Sequence, residues 1–339
     1  MARTVAIGVD THKQAHVAVA LDSLGAELDH CVVETTRAGY KRLLGWASGL
    51  GQPAFAVEGC GSYGAGLARF LAEAGELVYE CERPRRGDRR RGKNDLIDAA
   101  LAARRLLSRE GLSAPRGDGQ VREQLRLLLA ERRGAVSART AAVNQLHAMI
   151  VTAPDPLRQR LAAIPKRRLA KTAAALHSSP DGVCDVLRRI GRRAEGLSRE
   201  ITEIDRTLAM LVTQTAPQLL AECGVGAVCA AQLLVSSGDS KRMSSEAAFA
   251  ALAGTSPVDA SSGKQQRHRL NRGGDRQLNC ALHVITLQRV RHHAQTTAYY
   301  QRLLNAGKTA REAKRCIKRA LARHFYHQLR QLPQTPLTT

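Results

Sequence analysis

Thr4-Val5-Ala6-Ile7-Gly8-Val9-Asp10 is an apolar run that ends in an acid, and it decides the fold of the first hundred residues. A second run, Ala54-Phe55-Ala56-Val57-Glu58, ends in the same way. Short continuous apolar runs of this kind are typical of buried strands. A carboxylate is rarely placed at the end of a buried strand for packing alone, because burying an unpaired charge costs several kcal/mol. We therefore interpret Asp10 and Glu58 as functional residues.

Two further acids stand close together near the end of this region. Asp95 and Asp98 are three residues apart in Lys93-Asn94-Asp95-Leu96-Ile97-Asp98, which is typical of the first turn of a helix. Residues at this spacing lie on one face of a helix. Two strand-end acids and one helical acid pair form an oxygen-rich set that suits Mg²⁺ (or Mn²⁺) and phosphoryl transfer.

The order of the predicted elements supports the same site. The sequence predicts strands at Thr4–Val9, His16–Leu21, Leu28–Glu34, Ala54–Val57 and Leu77–Cys81, and helices at Gly39–Leu50 and Tyr63–Ala74. With the acidic helix this is the βββαβαβα order of an α/β, ribonuclease-H-like sheet. In that topology the first strand, the fourth strand and the late helix converge at one edge, so we expect the four acids to meet.

Composition indicates the substrate. Among 339 residues, 52 are Lys or Arg and 30 are Asp or Glu, which gives a formal charge of +22. Such a balance predicts salt-dependent attraction to phosphate backbones. The basic run Arg83–Lys93 adjoins the acidic helix, and we expect its Arg85, Arg86, Arg89, Arg90, Arg91 and Lys93 to bind nucleic acid. Charge alone would also fit a non-catalytic nucleic-acid-binding protein, but the four acids argue against that class.

The sequence shows no signal for secretion or membrane insertion. No apolar stretch is long enough to span a bilayer, and the eight cysteines include no C-x-x-C pair. We read the cysteines as small buried residues, without disulfides or a zinc site. These features predict a cytoplasmic protein, associated with the nucleoid through its charge.

The remainder of the chain is predicted to be mainly helical. One long helix is indicated around Gln124–Ile150 and a second at Val183–Val212, separated by a loop that contains Pro154, Pro156 and Pro165. The two helices fit an antiparallel pair or a dimerising coiled coil, and an ordinary bundle fits equally well.

A second candidate for chemistry lies further along. Ser261-Ser262-Gly263-Lys264 is followed by Arg267, Arg269 and Arg272, a run that by composition reads as a solvent loop with phosphate-binding side chains. A serine attacks a phosphate only when a base or a metal activates it. The Gly224-Val225-Gly226 turn also precedes a predicted helix, whose backbone N–H groups can hold a phosphate, although this signal is weak.

These motifs together resemble one family. Val9-Asp10-Thr11-His12-Lys13, Val57-Glu58-Gly59, the Asp95/Asp98 segment, the Gly-Val-Gly turn and Ser-Ser-Gly-Lys with Arg272-Gly273-Gly274-Asp275 occur in the order of the DEDD-type insertion-sequence transposases. That group includes RNA-guided bridge recombinases and is related to the pilin-gene invertase. The resemblance implies a RuvC-like catalytic domain at 1–118, a helical coiled-coil linker at 119–215 and a C-terminal transposase domain at 216–339.

The resemblance also implies roles for individual residues. Asp10, Glu58, Asp95 and Asp98 match the metal-binding tetrad. Ser262, with Ser261 as the alternative, matches the serine that links covalently to DNA. The implied assembly is a dimer or tetramer in which one subunit's serine lies beside another subunit's metal. Its implied partners are donor DNA, target DNA and a structured non-coding guide RNA that pairs with both.

Some nearby residues are expected to contribute less. His12 and His16 are four apart, but their segment is predicted as strand and turn, so we expect no helical metal pair. His12 is close enough in sequence to Asp10 to contact a phosphate or a water, but we favour a plain surface histidine. Lys13 is a candidate phosphate contact. The alternative to a recombinase is a RuvC-like junction resolvase, a nuclease in which a metal-activated water attacks and the serine is structural. The Ser-Ser-Gly-Lys segment favours the recombinase.

Overall fold

The computed structural model describes residues 4–81, 94–115, 120–238, 245–259, 268–269, 271 and 273–332. The chain divides into two compact units, Met1–Asp118 and Gly119–Thr339. The elements of the first unit are β1 (Thr4–Thr11), β2 (Ala15–Leu21), β3 (Glu27–Glu34), α1 (Arg37–Leu50), β4 (Gln52–Glu58), α2 (Ala65–Glu73), β5 (Leu77–Cys81), α3 (Asp95–Ser108) and β6 (Leu112–Ser113). Every strand and helix predicted in this region is present, within a few residues of its expected ends.

The strands of the first unit form one mixed sheet in the order β3-β2-β1-β4-β5-β6. The central strands β1, β4 and β5 run parallel, whereas β2, β3 and β6 are antiparallel to their neighbours. This order is the one expected for a ribonuclease-H-like sheet. Strand β6 was not predicted, because a pairing of two residues leaves no periodic pattern in the sequence.

The two faces of β1 carry different side chains because residues alternate along a strand. Val5, Ile7 and Val9 pack into a large apolar core with residues of α1 and α2. On the opposite face, Ala6 packs in a cluster with Ala99 of α3. Helix α3 therefore covers the face of β1 opposite the large apolar core.

Gly8 brings α3 into direct contact with the sheet. A Cβ atom at Gly8 would lie 2.0 Å from the carbonyl oxygen of Ala99 and 2.3 Å from the backbone nitrogen of Ala103. No side chain fits in that space, so the helix backbone rests on the strand backbone. The position of α3 over β1 is set by this contact.

The second unit is mainly helical. It comprises α4 (Gln120–Val151), α5 (Asp155–Ala162), α6 (Lys166–Ala174), α7 (Val183–Thr215), α8 (Pro217–Ala221), α9 (Ala227–Ser237), α10 (Glu246–Leu252), β7 (Val258–Asp259), β8 (His268–Arg269), α11 (Arg276–His292), α12 (Ala294–Asn305) and α13 (Ala310–Arg330). No helix in the described part of the chain is both long and apolar enough to cross a membrane.

Helices α4 and α7 form an antiparallel pair within one chain. Arg132 donates to Asp205 at 2.5 Å, and further along α4 the partner of Gln145 is Arg193, also at 2.5 Å. As the residue number rises along α4, the number of its partner on α7 falls, so the two helices run in opposite directions. This is one of the three arrangements left open by the sequence, while a coiled coil between subunits stays a prediction.

The prediction of a loop between the two long helices is wrong, because this part of the chain contains the short helices α5 and α6. Pro154 and Pro165 each stand immediately before one of these helices. Proline lacks a backbone N–H, and the first helical positions do not need one, so proline is common where a helix begins. The prolines therefore mark helix starts and do not mark a loop. Leu161 and Leu169 of these helices pack with Leu187 of α7 in a separate small core.

All eight cysteines are free thiols, as predicted. Their expected burial holds for Cys60, Cys81 and Cys229, whereas Cys280 is exposed.

Candidate active site

Asp10 and Glu58 stand side by side where two parallel strands end. In the register of β1 and β4, Val9 is the partner of Val57, so the next residue of each strand is an acid. Both side chains are buried, with exposures of 6% and 7%. Because residues alternate along each strand, Asp10 lies on the same face as Gly8, which is the face that α3 covers.

The first turn of α3 brings the second pair of acids to this point. Asn94 caps the helix, since its side chain accepts a hydrogen bond from the backbone of Leu96 at 3.2 Å. Asp95 and Asp98 both fall in the first turn, as predicted. Asp98 is buried, whereas the Asp95 side chain is about half exposed. The Gly8–Ala99 contact lies one residue beyond Asp98, and this proximity places the helix start beside the end of β1.

His12 joins the two pairs, which the sequence interpretation missed. Its Nε2 lies 3.3 Å from Oδ2 of Asp10 and 3.3 Å from Oδ2 of Asp95. His12 lies at the surface, as expected, with its side chain about half exposed, but its contacts with two carboxylates were not predicted. His16 takes no part in this cluster, as expected, because it is fully buried and stacks on Tyr40 with ring centroids 5.8 Å apart.

The site is electrostatically suited to a cation. Burial raises the pKa of the Asp10 carboxyl, His12 opposes that rise, and the negative charges of Asp95 and Asp98 add to it. Carboxylates crowded in a poorly solvated position repel one another, and a bound cation relieves that repulsion.

The donor atoms also fit one metal ion. One ligand atom from each of Asp10, His12 and Asp95 lies within 4.8 Å of the other two. Carboxylate oxygens suit Mg²⁺ and Mn²⁺, and an imidazole nitrogen adds preference for softer first-row metals. This donor set can therefore hold a divalent ion at the edge of the sheet.

Glu58 is held at the same edge through its backbone. The hydroxyl of Thr11 donates a hydrogen bond to the carbonyl oxygen of Glu58 at 2.8 Å, which ties the ends of β1 and β4 together. Burial, assisted by the Glu58 charge, raises the pKa of the Cys81 thiol to about 12. That thiol is consequently not a nucleophile at neutral pH.

The predicted nucleic-acid contacts are described only in part. Lys13 is exposed in the turn after β1, beside His12. Several predicted residues lie outside the described part of the chain: Arg85, Arg86, Arg89, Arg90, Arg91, Lys93, Ser261, Ser262, Lys264, Arg267 and Arg272. For Arg269 the backbone is described, in β8, but the side chain is not.

The residues on either side of the serine segment are firmly anchored. Strands β7 and β8 pair with each other, Val258 with Arg269. A Cβ atom on Gly274 would lie 2.4 Å from the backbone nitrogen of Gly254, so two backbones touch there. Next to this contact, Asp275 accepts a hydrogen bond from the hydroxyl of Ser236 at 2.7 Å and caps α11.

A buried polar network extends this anchor to α13. The side-chain nitrogen of Asn279 donates to the carbonyl oxygen of Ala253 at 2.7 Å. Lys318 is buried and donates from Nζ to Oδ1 of Asn279 at 2.9 Å. Burial lowers the pKa of the Lys318 ammonium, and the neighbouring Arg315 lowers it further. Neither Asn279 nor Lys318 was predicted, because both sit within helical sequence without a motif.

The Gly-Val-Gly turn has the predicted geometry. Gly224 has a φ of +81°, and Gly226 precedes the first residue of α9. Glu222 ahead of the turn pairs with the buried Arg289 and lies 3.0 Å from Nε2 of His324. These contacts attach the turn to α11 and α13, while phosphate binding there stays a prediction.

Comparison with known proteins agrees with this arrangement. Residues 7–153 match the DEDD transposase family of IS110 elements, described as "Transposase". Residues 216–301 match a second family, described as "Transposase IS116/IS110/IS902 family". The chain is also 25% identical to the "Insertion element IS900 uncharacterized 42 kDa protein" of Mycobacterium paratuberculosis, over 97% of this chain and 96% of that protein. The acidic sheet edge and both matched regions lead to one conclusion: this chain belongs to the DEDD transposases of the IS110 family of insertion elements, enzymes that cut and rejoin DNA.

Proposed function

We propose that this transposase cuts and rejoins DNA through a serine–DNA intermediate, with a divalent metal held by Asp10, Glu58, Asp95 and Asp98. The observation that carries the proposal is the convergence of the strand-end acids and the first turn of α3, with Nε2 of His12 at 3.3 Å from two of their carboxylates. Mg²⁺ is the proposed metal and Mn²⁺ the alternative. Such an ion would supply charge stabilisation at the scissile phosphate and favour ionisation of an attacking hydroxyl.

Ser262 is the proposed nucleophile, with Ser261 as the alternative. The serine Oγ loses its proton and forms a bond to phosphorus, while the bond from phosphorus to one deoxyribose oxygen breaks and that oxygen takes up a proton. The phosphodiester is exchanged for a phosphoserine ester of similar energy. A second deoxyribose hydroxyl can therefore reverse the step and rejoin strands without ATP.

The anchored ends of the serine segment support this role. A nucleophile must be held close to its productive geometry, and rigid supports do this better than free loops. The Gly254–Gly274 backbone contact and the hydrogen bond from Asn279 to the Ala253 carbonyl join the described residues on the two sides of the segment.

We extend the proposal to the domain roles, the assembly and the partners that the family resemblance implies. We assign the catalytic role to a RuvC-like domain at 1–118, a coiled-coil linking role to 119–215 and the serine to a transposase domain at 216–339. We further propose a homodimer or tetramer that acts in the cytoplasm at the nucleoid. A structured guide RNA would select both DNA partners. Aromatic residues are 3% of the chain, which fits a protein that leaves sequence reading to base pairing.

A trapping assay tests the proposal. Purified protein is incubated with Mg²⁺, with nicked DNA that carries the ends of the element, and with RNA transcribed from its flank. A denaturing gel then shows whether labelled DNA migrates with protein. We expect an adduct with the wild type and with Ser261→Ala, and none with Ser262→Ala.

Other outcomes reassign the chemistry. An adduct that survives Ser262→Ala but not Ser261→Ala moves the nucleophile by one residue. Cleaved DNA without an adduct in any protein means that water is the nucleophile, as in a junction resolvase, and overturns the serine mechanism. Asp10→Asn serves as the matched control, because it should remove cleavage and adduct together while leaving DNA binding intact.

A further inference from the structure

A second strongly charged region lies far along the chain from the acidic site. The segment Asp155–Arg193 covers α5, α6 and the start of α7 and contains ten basic residues against three acidic ones. The basic residues are Arg158, Arg160, Lys166, Arg167, Arg168, Lys171, Arg188, Arg189, Arg192 and Arg193, and the acidic ones are Asp155, Asp181 and Asp185. None of these residues belongs to the metal site or to the serine segment.

Most of this charge is unneutralised within the described chain. Two of the acids are already used, since Asp155 pairs with Arg158 and Asp185 pairs with Arg188. Among the described residues, no carboxylate lies within ion-pair distance of the other eight basic side chains. Lys166, Arg167, Arg168 and Lys171 of α6 are all exposed, and so are Arg189, Arg192 and Arg193 of α7.

The packing of α6 on α7 brings the basic stretches of the two helices close together. A Cβ atom on Gly191 would lie 2.5 Å from the backbone nitrogen of Ala174 and 2.8 Å from the carbonyl oxygen of Ala170. The two helix backbones therefore touch at Gly191. Lys171 follows the contact residue on α6, and Arg192 follows it on α7. We call this set of seven exposed side chains the basic α6–α7 surface.

The overall charge of the protein does not explain this concentration. Along α7 the sign of the charge changes within one helix. Residues 183–193 carry four arginines and one aspartate, whereas residues 194–215 carry two arginines and four acids. A uniformly basic coat would not produce this division. Like charges three or four residues apart also repel one another along a helix.

We propose that the basic α6–α7 surface binds the phosphate backbone of duplex DNA. Exposed Lys and Arg side chains that have no carboxylate partner suit phosphate contacts that carry no sequence information. The segment Asp155–Arg193 contains no Phe, Trp or Tyr, the residues on which proteins stack splayed-out RNA bases. Since the family acts on DNA, duplex DNA is the partner that these observations favour. DNA binding by this surface requires neither the serine nor the metal. The proposal can therefore be tested independently of the serine mechanism.

The salt dependence of binding tests the proposal. The full chain and the triple variant Arg167→Gln/Arg168→Gln/Lys171→Gln are titrated against labelled duplex DNA of arbitrary sequence at several salt concentrations, without divalent metal. Each lost phosphate contact should reduce the slope of log K against log salt by about 1, so we expect a reduction of about 2 to 3. Affinity at low salt should fall correspondingly.

A matched control separates this surface from general charge. The variant Arg133→Gln/Arg199→Gln/Arg206→Gln removes the same charge from exposed positions elsewhere on α4 and α7. We expect it to leave the slope nearly unchanged. An equal loss in both variants would mean diffuse attraction and would overturn the proposal.

Two further measurements complete the test. Thermal unfolding should show that the α6 variant is no less stable than the wild type, since it removes repulsion from exposed positions. A parallel titration with duplex RNA of the same length identifies the partner. If the α6 variant loses affinity for RNA and keeps that for DNA, the surface belongs to RNA and the proposal fails. An unchanged slope with both nucleic acids also refutes it.

Discussion

Gly8→Ala tests directly how the acidic site is assembled. The added Cβ would stand 2.0 Å from the carbonyl oxygen of Ala99, whereas ordinary contact begins near 3.4 Å. The difference, about 1.4 Å, cannot be absorbed by a side chain, because the atoms it meets belong to the backbone of α3. We therefore expect α3 to move away from β1 and to carry Asp95 and Asp98 with it. Overpacking of this kind costs about 1–3 kcal/mol of stability.

The same shift should weaken metal binding. An ion that binds the folded state stabilises it by about 2.7 kcal/mol at a concentration one hundred times its Kd. Urea unfolding of the wild type should show such a gain when Mn²⁺ is added. Gly8→Ala should unfold at lower urea without metal and gain much less from Mn²⁺, because a misplacement of about 1 Å disrupts a site of this type.

Gly45→Ala is the matched control. Gly45 is exposed on α1, and an added Cβ there meets nothing within 4 Å. In a helix that change should raise stability by up to about 1 kcal/mol and leave the metal response intact. If Gly8→Ala were as stable as the wild type and gained as much from Mn²⁺, the close contact would not be what positions the acids.

Three other variants, two with a single substitution and one with several, test the electrostatics. Asp10→Asn should abolish DNA cleavage yet stabilise the metal-free protein at neutral pH. Burial raises the pKa of Asp10, so its charged form is costly in the folded state. In urea unfolding, the gain in stability should shrink as pH falls through the folded pKa toward 3.8. Burial pushes the pKa of Glu222 up, but His324 and Arg289 help to hold it below 4.5, so its contribution is present above pH 4.5 and lost as pH falls through the folded pKa. Acid unfolding should accordingly be less steep in Glu222→Gln, and an identical profile would contradict the assignment. Replacing the arginines of Arg85–Arg91 by alanine should weaken DNA binding and reduce the slope of log K against log salt. An unchanged slope would mean that these arginines do not contact DNA.

The sheet and its acids could be predicted because local patterns specify them. Apolar runs that end in Asp10 and Glu58 identify strands and mark their ends, and the Asp95/Asp98 spacing identifies a helix start. Once the order of strands and helices indicates the topology, these positions must come together. No longer-range information is needed for that step.

The role of His12 could not be predicted in the same way. Its contact with Asp95 joins residues 83 positions apart and depends on how closely α3 approaches β1. That approach depends on Gly8, whose lack of a side chain looks unremarkable within an apolar strand. The network around Lys318 could not be predicted for a similar reason, because its members come from α11, from α13 and from the turn after α10. The helices α5 and α6 were missed because proline signals both a helix start and a loop.

The backbone contact between Gly254 and Gly274 restricts which residues either position can accept. A Cβ atom on Gly274 would lie 2.4 Å from the backbone nitrogen of Gly254 and 2.6 Å from the carbonyl oxygen of Leu252. Gly254 itself has a φ of +62°, a backbone conformation that side chains rarely adopt. A larger residue at either glycine would therefore force apart the chain that follows α10 and the chain that precedes α11.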